Sequence, residues 1–108
     1  MDDIIKTEAK EIAQTILKQM GGNKFITMTG AKVSYSLNEN DQPVLICKLP
    51  SNFAKNGINL FKVIYDYGLD LYVLSFSKGA KILKTFEQVY FDDLIKTFEA
   101  ETGLYCYL

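Results

Sequence analysis

Gly21-Gly22-Asn23-Lys24-Phe25-Ile26-Thr27-Met28-Thr29-Gly30-Ala31-Lys32 is the stretch where the patterning of the chain changes from helical to extended. Glycine enters the left-handed conformation beyond a helix without a Cβ penalty, so Gly21-Gly22 ends the helix before it, and Lys18 suits the last turn. Beyond the glycines, Phe25, Thr27 and Thr29 alternate with Ile26 and Met28, which predicts a strand over 25–29. Gly30-Ala31 then reads as a turn or bulge. A phosphate-binding loop would leave a strand, enter a helix and carry Gly-Lys-Ser/Thr. This stretch leaves a helix, and helix termination accounts for it better.

Upstream, Ile5, Ala9, Ile12, Ala13, Ile16 and Met20 fall on one face, widened by Leu17, with Lys6, Glu8, Lys10, Glu11 and Lys18 on the rest. That is an amphipathic helix, capped by Asp2 or Asp3 and suited to covering a sheet; an exposed partner-binding helix would look similar. Downstream, Val33, Tyr35 and Leu37 alternate with Ser34 and Ser36, and Asn38-Glu39-Asn40-Asp41-Gln42 supplies turn chemistry for a hairpin. The return strand Val44 to Leu49 is apolar on nearly every position and reads as central, closed by Pro50 and a loop to Gly57. Ile58 to Tyr65 sets Asn59, Phe61, Val63 and Tyr65 against Ile58, Leu60, Lys62 and Ile64. Asp66-Tyr67-Gly68 turns into a strand over Leu69 to Phe76, and Ser77-Lys78-Gly79 turns again. Lys81 to Val89 reads as a strand, although its polar content would also open a helix. A last helix begins near Asp92-Asp93, carries Phe91, Leu94, Ile95 and Phe98, and stops at Gly103; the apolar tail 104–108 should dock on the core. The prediction is one α+β domain over 1–108: an N-terminal helix, an antiparallel sheet of five to six strands and a C-terminal helix.

Composition narrows the chemistry. A chain of 108 residues with 48% hydrophobic content can bury a core without metals or disulfides. Cys47 and Cys106 have no CxxC spacing and read as free thiols, and MDDIIKTEAK has no signal-peptide character, so a cytoplasmic protein is expected. No apolar run approaches the ~18 residues of a membrane span. The formal net charge is −1, all basic residues are lysines, and arginine, histidine and tryptophan are absent. Without histidine, a Ser-His-Asp or Cys-His nucleophile system has no base. Without arginine or a global positive field, sequence-specific DNA reading is disfavoured. Neither a zinc site nor any other cofactor is expected from two cysteines so far apart in sequence. Asp66 with Asp70, and Asp92 with Asp93, could bind a hard cation, but solvated turn and cap residues explain them more simply. Lys78, Lys81 and Lys84 recur beside Tyr72, Phe76 and Phe86, a combination of cations and π-faces that single-stranded nucleic-acid binders use, and one that a solvated edge strand over an aromatic core would also show.

The words GGNKFITMTGAK and TGLYCYL, separated by a β-rich middle, resemble a family of small uncharacterised proteins carried by phages and other bacterial mobile elements. The shared pattern is GGNKFxxMTGAK…TGLY, on Gly21, Gly22, Asn23, Phe25, Met28, Thr29, Gly30, Ala31 and Lys32, then Thr102, Gly103, Leu104 and Tyr105. The resemblance implies a setting, the cytoplasm of a bacterial host, and carries no active-site residue. In that setting a non-enzymatic accessory protein is expected, acting by protein–protein binding on a host or phage protein. An inhibitor of a defence nuclease, a CRISPR effector for instance, fits this description, with the hairpin residues Glu39, Asp41, Tyr65, Asp66, Tyr67, Asp70 and Tyr72 blocking or imitating a nucleic-acid channel. The alternative is an accessory single-stranded nucleic-acid-binding protein of phage replication or packaging that uses Lys78, Lys81 and Lys84. Pairing of two copies through an edge strand is a further outcome.

Overall fold

The computed structural model describes residues 2–51 and 53–106, with side chains from residue 6 onward. The Asp2 or Asp3 cap, the Ile5 side chain and the tail residues Tyr107 and Leu108 lie outside the described residues. Helix α1 (Asp2–Met20) is followed by a short helix α2 (Asn23–Thr29). Five strands then run β1 (Lys32–Leu37), β2 (Pro43–Lys48), β3 (Leu60–Asp66), β4 (Leu71–Lys78) and β5 (Lys81–Val89). A 3-10 turn over Phe91–Asp93 leads into helix α3 (Leu94–Thr102). The strands form one antiparallel sheet in the order β1-β2-β3-β4-β5, so every connection joins nearest neighbours.

One expectation fails: 25–29 is helix, not strand. Phe25 and Thr29, four residues apart, are both fully buried while Thr27 between them is exposed, which is helical periodicity. Five residues rich in aromatic and β-branched side chains fit both templates, and tertiary packing of Phe25 decides between them. Its ring meets Phe98 of α3 edge-on at 5.3 Å. The glycines end α1 as read: Gly22 N–H donates to Leu17 O and Gly21 N–H to Lys18 O, the paired bonds of a Schellman stop. Strand bounds shift by one or two residues elsewhere, and β2 is an interior strand while β3 holds the middle. Residues 81–89 are a strand, mostly exposed because β5 is an edge.

α2 and α3 end alike. In Phe25-Ile26-Thr27-Met28-Thr29-Gly30 and Phe98-Glu99-Ala100-Glu101-Thr102-Gly103, the buried threonine donates its hydroxyl back to the phenylalanine carbonyl at 2.7 Å. Each hydroxyl also accepts the N–H two residues on, from Ala31 and from Leu104, at 3.2 Å. The glycines sit at φ 70° and 73°, and each donates its N–H to the carbonyl four residues back.

Register places Val33, Cys47, Phe61 and Phe76 in one row across the sheet, with Tyr35, Leu45, Val63 and Leu74 in the next. This face meets Ala13, Ile16 and Met20 of α1 and Leu94 and Phe98 of α3 to form the core. Phe61 stacks on Phe76 at 4.9 Å and leans on Phe98 at 5.0 Å, so a ring column ties the sheet to α3. Both cysteines are buried free thiols, and Leu104 and Cys106 pack the tail against the core.

Candidate functional site: an acidic, aromatic end of the sheet

In an antiparallel meander the β1–β2 and β3–β4 turns necessarily emerge at the same end. Register confirms it, with Leu37 opposite Pro43 and Asp66 opposite Leu71. Glu39, Asp41, Asp66 and Asp70 are thereby gathered on two adjacent turns that contain no lysine. Both turns are braced from within. Asn38 Oδ1 accepts the N–H groups of Asn40 and Gln42 at 3.0 Å, and Asn38 Nδ2 donates to Gln42 Oε1 at 2.8 Å. These bonds absorb the polar backbone, and Glu39 and Asp41 stay exposed. In the second turn Asp66 Oδ1 accepts Gly68 N–H at 2.9 Å and Leu69 N–H at 3.3 Å, and Asp70 N–H donates to Asp66 O at 2.8 Å. Asp70 adopts φ 54°, and its carboxylate accepts the hydroxyl of Tyr65.

Three tyrosines lie beneath the carboxylates. The Tyr65 ring stands edge-on to Tyr67 at 5.0 Å and tilts against Tyr72 at 5.8 Å. The hydrogen bond to Asp70, followed by burial and the nearby negative charge, pushes the Tyr65 pKa up to about 12. Burial and then the Glu8 carboxylate raise that of Tyr67. Tyr72 donates to Gln19 Oε1 at 2.8 Å, and burial raises its pKa. All three are held as neutral phenols at physiological pH.

Of the seven residues expected here, five meet at the β3–β4 turn, and Glu39 and Asp41 stand on the neighbouring turn. Tyr72 is mostly in the core, leaving Tyr67 as the exposed ring of the three, 47% accessible. Sequence reasoning missed Leu69, Tyr90 and Phe91, which are 55%, 59% and 62% exposed. Val89 lies opposite Tyr72, so Tyr90 and Phe91 leave β5 at this same end, followed by Asp92 and Asp93. A shallow cleft between the β3–β4 turn and β5 is lined by Asp66, Leu69, Leu71, Glu87 and Gln88.

The lysines of the alternative site fall at the other end. Lys78 and Lys81 face each other across the β4–β5 turn, and Lys84 pairs with Glu101 at 3.1 Å while lying over the Phe86 ring. Phe76 is fully buried and Tyr72 nearly so, and the half-buried Phe86 packs against the core with Lys84 over its ring, so none of the three rings expected here stands open beside the lysines. Among the described residues no three His, Cys, Asp or Glu side chains come together as a metal would require. Burial pushes the Cys47 and Cys106 thiols up to about 12, against the thiolate that nucleophilic chemistry uses. Among the described residues no helix is long and apolar enough to cross a membrane. Compared with known proteins, the chain matches no family model, no curated protein and no solved structure.

Proposed function

We propose that the chain is a non-enzymatic accessory protein of a phage or other mobile element. It acts in the bacterial cytoplasm by binding another protein through the acidic, aromatic end of its sheet. The target is a nuclease of bacterial defence, such as a CRISPR effector, whose basic nucleic-acid channel the carboxylates occupy in place of phosphates. One observation carries this reading: Glu39, Asp41, Asp66 and Asp70 stand on two braced turns at one end of the sheet, beside the exposed side chains of Tyr67, Leu69, Tyr90 and Phe91. The Asp66 and Asp70 carboxylates, already held by hydrogen bonds, lose little entropy on binding, and exposed aromatic rings supply the apolar anchors that dominate interface energetics.

The second reading, an accessory single-stranded nucleic-acid binder, draws on Lys78 and Lys81, which among the described residues have no carboxylate partner. A pull-down from host lysate with and without nuclease treatment separates the two. Recovery of a nuclease after treatment, lost when Asp66 and Asp70 are both changed to Lys, supports the inhibitor. A shift of labelled single-stranded DNA that fades steeply with salt and disappears in Lys78→Glu/Lys81→Glu overturns it in favour of nucleic-acid binding.

A further inference from the structure

The sheet has a second face that the helices leave open. Alternation along each strand places Lys32, Ser34 and Ser36 of β1, Val44, Ile46 and Lys48 of β2, Leu60, Lys62 and Ile64 of β3, and Leu71, Val73 and Ser75 of β4 on the side away from α1 and α3. Ile46, Leu60, Ile64, Leu71 and Val73 are half-buried and take no part in the core behind the helices, whereas Val44, at 4% exposure, and Ser75 are buried. Antiparallel sheets commonly show water a polar face. This one is aliphatic through its centre.

Its charges are all of one sign in that region. Lys32 lies directly opposite Lys48, and Lys62, opposite Ile46, is diagonal to Lys48. Like charges opposed across strands are destabilising, and among the described residues no carboxylate answers any of the three. Lys62 is half-buried in the middle of the apolar row.

From this juxtaposition we infer that the open face is a second docking surface, whose occupant is an acidic amphipathic helix of another protein. Its apolar stripe lies along Ile46, Ile64 and Val73, and its carboxylates fall on Lys62, Lys48 and Lys32. Charge and surface chemistry together select this occupant. A second copy laid face to face would offer these lysines only lysines in the same region and no carboxylate. Single-stranded nucleic acid would find the lysines but no aromatic ring in this row to stack on. The inference is independent of the acidic end, whose sign and chemistry are opposite.

Amide chemical shifts provide the test, with a designed helical peptide of about 18 residues carrying a leucine stripe flanked by glutamates as the probe. Perturbations centred on Ile46, Lys62, Ile64 and Val73, together with affinity weakened about tenfold or more in Lys62→Glu, are expected. The same peptide with lysines for glutamates should not bind. Lys62→Gln, which removes charge without reversing it, should fall between wild type and Lys62→Glu, and a native-like spectrum of each variant shows that folding is retained. Absence of perturbation on this face, equal binding of the lysine peptide, stronger perturbation of these amides by oligothymidine, or their perturbation by self-association alone would each overturn the inference.

Discussion

Each end of the sheet receives two connections, yet the two ends are built on opposite plans. At the acidic end the polar side chains hold the turns. Asp66 accepts two backbone N–H groups, Asn38 another two, and Asp70 the Tyr65 hydroxyl. At the basic end a neutral side chain does this work, Asn59 Oδ1 accepting the Gly79 N–H at 2.9 Å, while among the described residues Lys32, Lys48, Lys78 and Lys81 make no such bond. Lys78 lays its stem beside Gly57 and Lys55 lies against Gly103, with the Lys55 ammonium 3.5 Å from the carbonyl of Ala100. The difference teaches that charge is preorganised at one end and merely displayed at the other. Carboxylate-end substitutions should therefore carry a folding cost that lysine-end substitutions lack.

The strongest way to break the comparison is to remove what both ends share. Phe98→Ala empties the junction of Phe25, Phe61 and α3 and should cost about 3–5 kcal/mol in urea unfolding, melting both ends in one transition. Asn38→Ala acts on the acidic end alone. It removes three hydrogen bonds from one turn and should cost about 1–2 kcal/mol, with amide-shift changes confined to the two acidic turns.

Alkaline titration sharpens the contrast further. The Tyr65 pKa is raised from 10.0 to about 12 in the folded protein, so its contribution is complete below about pH 10 and is lost as the pH rises through about 12. Tyrosinate absorbance should show a late step that is absent in Tyr65→Phe. In Asp70→Gly, which suits the left-handed backbone at this position, the step should move to lower pH. The smallest effect is expected at the basic end, where Lys81→Glu replaces a like-charge pair with an opposite one. A gain of about 0.2–1 kcal/mol should appear as a higher denaturation midpoint. Destabilisation by Lys81→Glu would show that the lysines do brace their end.

Much of the architecture is legible in the sequence, because periodicity over six or more residues separates helix from strand. α1, α3 and the five strands carry such a period. α2 does not, and Phe25 and Thr29 announce a helix only once their shared burial is known. The carboxylates of the acidic end are legible as turn residues, and topology then brings the two turns together. Tyr90 and Phe91 are not legible as surface, since aromatic residues between a strand and a helix look like core until the chain is seen to leave the sheet there. On the open face the alternation of Leu60, Lys62 and Ile64 is plain from sequence, whereas Lys32 opposite Lys48 is a matter of register alone.

The paired Phe-x-x-x-Thr-Gly stops have a consequence for how the molecule opens. Their phenylalanines touch each other, and each threonine closes its own helix onto that same contact, so α2 and α3 are fastened by one buckle rather than two. Fraying of either helix exposes the ring that the other depends on. Amide hydrogen exchange should accordingly report a common opening free energy for the two helices, far apart in sequence, and Thr29→Val should speed exchange in α3 as well as in α2.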